Sequence, residues 1–522
     1  MAINSIMRNP MMMRLSDMRT SLEDLQRQLG TGQKAETYGQ LGTERSQSIT
    51  FRSKITKIDA YMGATKQVNL RIQLLDTSLT RLGTIPTDVR AALDPNNYQV
   101  RLDGKTDAQK SSLIALDEVV GLLNSTADGR YLFSGKSTDT KPVVTVDEML
   151  NGTGAKDGLK QVTADRLKAD LGTGKLGRLE IATAGDTVSL NRQTPLSSEF
   201  GYKIADVETT SSNVTVGTTG TSPVESASVS FTGLPAAGDT VKFELTNPDG
   251  SASSLTLTAT LSNPPEDGYF TVGADTTATA TNFETALQKS LGKKVASEFT
   301  AASATRAGEN FFDTFGGKMP QRVDTSSTGG DLATATDLRD ATSADTVQWY
   351  LGYNGKIDNG TVGDADNDPT TADYSTLPRN DIGATVDSGV TVNYGVRANE
   401  QGLRLMVQSL SVMATAKFDS TVPTDEDRYA ALTERARDAL AFDNGNQSPS
   451  DIHAEVAVAG KVAEDSAKRL EANKSAMQEL LDGVEGIDKE EVAAQILTLQ
   501  NRMQASYQTT SILNSLSLLN FM

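Results

Sequence analysis

Leu15, Met18, Leu22, Leu25 and Leu29 are spaced 3, 4, 3 and 4 residues apart. That spacing is the a/d stripe of a heptad repeat, and it dictates a helix with one narrow apolar seam. The seam recurs late in the sequence, where Val492, Ile496, Leu499 and Met503 step by 4, 3 and 4. The apolar run there continues through Tyr507, Leu513, Leu516, Leu519 and Phe521. A narrow seam stays adhesive until a partner covers it. Two such helices, one early and one late, can cover each other, so the chain should fold back on itself and project whatever lies between.

More helical stripes lie inside these two. Ile55, Ile58 and Met62 precede Val68, Ile72, Leu75, Leu79 and Leu82. Pro86 and the "DPNN" at 94–97 should end that helix. Leu113, Leu116, Val120 and Leu123 mark another. Later, Leu403, Val407, Leu410 and Ala414 share a face, 424–441 and about 450–481 read as helical, and Asp488 is a fitting N-cap for the last helix.

From about 130 the chain turns rich in Gly, Thr, Ser, Asp and Pro. "SVSFTGL", "TVKFELT", "SLTLTAT" and "GYFTVG", between 228 and 273, alternate apolar and polar residues as half-buried strands do. Phe283, Leu287 and Leu291 then return to helical spacing. At 522 residues the chain exceeds what one core can organise. The expected fold is α+β and multidomain. Helical segments 1–135 and 393–522 pair into an α-helical coiled-coil core domain. A β-rich outer domain draws on 136–209 and 301–392, and 210–300 form a small α+β insert domain.

Composition narrows the function. A net charge of −18 disfavours nucleic acid and anionic membrane as partners. No apolar run reaches the length of a membrane span, so no membrane insertion is expected. With no Cys and a single histidine, His453, disulfides, thiol catalysis and zinc sites fall away. "DADND" places Asp364, Asp366 and Asp368 like the start of a calcium loop. Pro369 stands where that loop needs Gly, and Ser375 where it needs Glu, so it reads as a solvated loop. No phosphate-cradling glycine loop and no nucleophile elbow occur. The expectation is no enzyme, no cofactor and no metal site. Near the start, Arg8 and Arg14 lack a following apolar stretch with a cleavage site, so export, if it occurs, should proceed without a cleaved signal peptide.

Four stretches carry a family likeness. "LEDLQRQLGTGQKAETYGQLG" (22–42) is a Leu-rich helix closed by a "TGQK" turn. "STADGRYLFSG" (125–135), "NYGVRANEQGLR" (393–404) and "LQNRMQASYQTTSILNSLSLLNFM" (499–522) follow in order. Together they resemble the bacterial flagellin superfamily, and its hook–filament junction branch more than its filament branch. The long middle of the chain is more usual in the filament branch. The resemblance implies a structural, non-enzymatic subunit outside the cell, in the flagellum, with a helical core built from both ends. It implies partners in further copies of the chain, as a homopolymer or ring, in other flagellar axial proteins, in the flagellar export apparatus and in an export chaperone. Under it, Leu15, Met18, Leu22, Leu25, Leu29, Val492, Ile496, Leu499, Met503, Tyr507, Leu513, Leu516, Leu519 and Phe521 are the assembly contacts. A different class of reading is an extracellular adhesin, with 210–300 as its binding module.

Overall fold

A computed structural model describes residues 10–193, 199–221, 224–354, 377–443 and 445–519, without the side chains of 10, 11 and 513–519. The helices are α1 (Pro10–Thr31), α2 (Arg45–Ala92), α3 (Asp107–Leu123), α4 (Val146–Asn151), α5 (Leu159–Leu171), α6 (Thr276–Lys294), α7 (Thr300–Phe312), α8 (Gln401–Thr415), α9 (Asp425–Ala439), α10 (Pro449–Glu485) and α11 (Lys489–Leu519). The first strands are β1 (Thr126–Ala127) and β2 (Arg130–Tyr131). Then come β3 (Leu179–Ala184), β4 (Thr187–Arg192), β5 (Lys203–Thr209), β6 (Val214–Thr219), β7 (Ser226–Phe231), β8 (Thr240–Thr246), β9 (Ala252–Thr260) and β10 (Tyr269–Thr271). Short pairs β11 (Gln321–Val323) with β12 (Leu338–Asp340), and β13 (Gly383–Asp387) with β14 (Val390–Asn393), complete the list. The chain is thus mixed α and β, with helices early and late and sheets in the middle.

It divides into two compact units. One comprises Met1–Asn69, Ala384–Val392 and Lys461–Met522; the other comprises Leu70–Gly383 and Asn393–Gly460. The helical segments expected at 1–135 and 393–522 are therefore shared. Only their outer parts, with most of the β13–β14 hairpin, form a unit of their own.

The larger unit holds most of the buried apolar side chains. Its sheet module packs two four-stranded sheets, ordered β3-β4-β7-β6 and β10-β9-β8-β5, with α6. Strand β8 shows why: every second residue, Val241, Phe243 and Leu245, is buried, as a period of two requires. Phe283 of α6 lies 5.1 Å from the ring of Phe270, 5.4 Å from Phe231 and 6.4 Å from Phe243, a cluster that joins helix and strands. The insert boundary expected at 210 falls inside this module. β3, β4 and β5 precede that position yet share its sheets and core.

Two other expectations change. The stretch from 136 to 178, expected to be β-rich, carries α4 and α5. Thr145 caps α4, accepting from Glu148 N while the Glu148 side chain accepts from Thr145 N. And α2 runs through Pro86 to Ala92. A proline inside a helix costs about 3 kcal/mol or more. Here Leu82, Ile85, Val89 and Leu93 lie buried along one stripe on both sides of the proline. Each such burial is worth roughly 1.5–3 kcal/mol, enough to hold the helix on course.

The segments "GRYLFSG" and "NYGVRANEQG", far apart in sequence, meet in this unit. Ala398 N donates to Phe133 O at 2.9 Å and Gly135 N to Val396 O at 3.1 Å. Gly135 has φ +57°, and a Cβ there would stand 2.6 Å from Asp381 Oδ2. The arginine of the second segment, Arg397, is fully buried and holds Asp381 through two bonds of 2.6 and 2.8 Å. Glu400, also buried, accepts from Arg397 N at 2.9 Å and from Arg379 at 2.6 Å. Burial pushes its carboxyl above the ordinary range even with Arg379 beside it.

Candidate assembly site in the helical unit

In the smaller unit α1 lies against α11, so the first and last described helices of the chain do meet. The turn after α1 fixes this meeting. Gln33 bridges to Gly486, Lys34 N donates to Glu485 O at 2.8 Å and Ile487 N to Gly32 O at 3.3 Å. Gly32 supplies the positive φ, +74°, that lets the chain leave α1 there.

A polar clamp sits beside this turn. Glu485 accepts from Arg52 Nε at 2.8 Å and Nη2 at 2.5 Å, and from the Ser48 hydroxyl at 2.5 Å. The Arg52 guanidinium holds the Glu485 carboxyl below the usual carboxylate range, and Glu485 in turn raises Arg52. Lys474 pairs with Asp59 at 2.7 Å and Arg469 with Asp387 at 3.1 Å, tying α10 to α2 and to the β13–β14 hairpin. Thr65 adds a bond to Val386 O at 3.2 Å.

The apolar seam is much less complete than this polar frame. Val492 and Ile496 are buried, but Leu15, Met18, Leu22, Leu25, Leu499 and Met503 are only half-buried, and Leu29 is exposed. After Met503 the half-buried positions are Ser506 and Thr510. The 3–4 spacing therefore passes through two hydroxyl residues, and Tyr507, expected on the seam, lies beside it at 51% exposure. The side chains of Leu513, Leu516 and Leu519, and Phe521 altogether, lie outside the described residues.

The heptad pattern leaves out a second set. Leu497 and Ile512 of α11 stand 62% and 58% exposed, and Met12 of α1 stands 63% exposed. They break no heptad rule and so give no periodic signal. Their one mark in the sequence is that they are apolar at positions where a helix in water needs none.

His453 Nε2 lies 2.6 Å from Asp76 Oδ1 and ties α10 to α2. Among the described residues no group of three His, Cys, Asp or Glu could hold a metal ion. The "DADND" stretch lies outside the described residues. No described helix is long and apolar enough to cross a membrane. Buried arginines of the larger unit are each engaged: Arg322 with Asp157 and Asp165 at 2.9 and 2.8 Å, Arg166 with Asp170 at 2.9 Å. Arg166 and Arg178 also flank the ring of Phe200, at 4.5 and 5.2 Å. Compared with models of known families and with curated proteins, the chain matches none.

Proposed function

We propose that this chain is a structural subunit of the bacterial flagellum that self-assembles through its first and last helices. Within that class it is most like the hook–filament junction protein, hook-associated protein 3. One observation carries the proposal: α1 and α11 meet, yet their seam stays half-open in a single copy. In this reading the two helices pair as a coiled coil, and α1 and α11 of neighbouring copies complete the burial. The same copies cover Met12, Leu497 and Ile512. The chain works outside the cell, reached through the flagellar export apparatus with an export chaperone. Its partners are its own copies and other axial proteins of the flagellum.

The alternative within the class is a flagellin of the main filament. The self-contained core of the sheet module favours it, since that module lengthens the middle of the chain. Labelling the protein in intact flagella separates the two. A narrow band at the hook supports the junction, and label along the filament supports the flagellin. Absence of label from flagella overturns both.

A further inference from the structure

Between α5, α7, α8 and α9, within the larger unit, lies a cavity of about 270 Å³. Its floor is apolar: Ala164, Leu167, Ala304, Val412, Phe418 and Leu432. Its polar rim carries three cations, Lys160, Lys417 and Arg428, and no residue that lines it is a carboxylate. In a chain of net charge −18 this is an unusual patch. Arg428 is partly neutralised by Asp425 at 2.9 Å. Neither Lys160 nor Lys417 has an ion-pair partner among the described residues; Lys160 donates only to the Asn151 amide oxygen, at 2.5 Å. The volume is below the roughly 300–1,000 Å³ of small-molecule pockets, so it suits one or two side chains. The occupant it calls for is an apolar side chain with a carboxylate beside it.

Helix α3 carries such a pair. Ile114 is 69% exposed, and Asp117, one turn on and on the same exposed face, has no cation within ion-pair distance among the described residues. We propose that Ile114 of one copy seats in this cavity on a second copy, with Asp117 meeting Lys160 and Lys417. The knob and the hole are different surfaces of the same chain, so the contact is heterologous and propagates from copy to copy. One side chain in one hole falls far short of the ~1,200–2,000 Å² that a stable interface buries. The contact therefore acts only within an assembly that other surfaces begin, and the inference rests on the self-assembly reading above.

The test uses the full-length chain and measures the concentration above which it sediments as polymer. Asp117→Lys and Lys417→Glu, both at exposed side chains, each raise that concentration roughly tenfold, as loss of an anchoring contact should. The two together recover most of the loss, because the charges are exchanged. Ile114→Ser and Ala304→Trp, the second filling the hole, act in the same direction. Thermal unfolding identical to the parent chain shows that each variant is folded. Polymerisation of the single variants at the parent concentration overturns the contact, as does a double variant worse than either single. If Lys417→Glu weakens assembly while Ile114→Ser and Asp117→Lys do not, something other than α3 fills the hole, and the proposal fails. A parent chain that never polymerises sinks the self-assembly reading itself, which distinguishes the two failures.

Discussion

At the scale of single residues, Leu25 and Glu485 define the helical unit. Leu25 sits at the centre of the α1 seam and is half-buried. Leu25→Asp places a charge where, in the self-assembly reading, helices of neighbouring copies close. Polymerisation should be lost, as followed by sedimentation, while amide protection in the sheet module stays unchanged because Leu25 belongs to the other unit. A loss of protection in the sheet module would mean that Leu25 supports that core instead. Glu485 is the anionic centre of the Arg52–Ser48 clamp. Its folded carboxyl titrates below its unfolded value, about 4.3. The stability it contributes is therefore present above that value and lost as pH falls through the depressed folded one. Helical circular dichroism on acidification from pH 7 to 3 should show α10 and α11 loosening below about pH 4. Glu485→Gln should lower stability at pH 7 and flatten that dependence.

At the scale of elements, periodicity decided what could be read in advance. "TVKFELT" alternates so regularly that the sequence alone identifies β8, its faces and its buried Phe243. The stripe Val68, Ile72, Leu75, Leu79 and Leu82 likewise identified the buried face of α2. Pro86 misled because a local rule was weighed without the buried residues that follow it. α4 was legible in "TVDE", a capping box, but its surroundings of Gly and Thr hid the signal. Nothing local could have revealed Arg322 with Asp157 and Asp165, since those partners come from distant parts of the chain. The half-open seam was legible only as a pattern; that Ser506 and Thr510 continue it, and Tyr507 does not, needed the packed helix. The keystone of the sheet module is Phe283, at van der Waals range of rings from both sheets. Phe283→Ala should cost about 3–5 kcal/mol. Hydrogen exchange of the β7, β8 and β9 amides should then quicken by roughly a hundredfold or more. No change would mean that the module's core lies elsewhere.

At the scale of the whole molecule, the two units differ in how complete they are. The larger unit buries Trp349, with its indole N–H donating to Phe312 O at 3.0 Å, and pairs buried Arg166, Arg322 and Arg397 with carboxylates. Such a unit has what it needs to fold within one chain. The smaller unit has a satisfied polar frame around Glu485 but an apolar seam that one copy only half covers. In the self-assembly reading such a surface is stabilised by association, since each copy added would remove more of it from water. Sedimentation of the purified chain, compared with the same chain lacking α1 and α11, tests this most directly. The full chain should form long polymers visible by electron microscopy, and the shortened chain should stay monomeric with its sheet module folded. Polymers of the shortened chain, equal in length and yield to those of the full chain, would contradict the account.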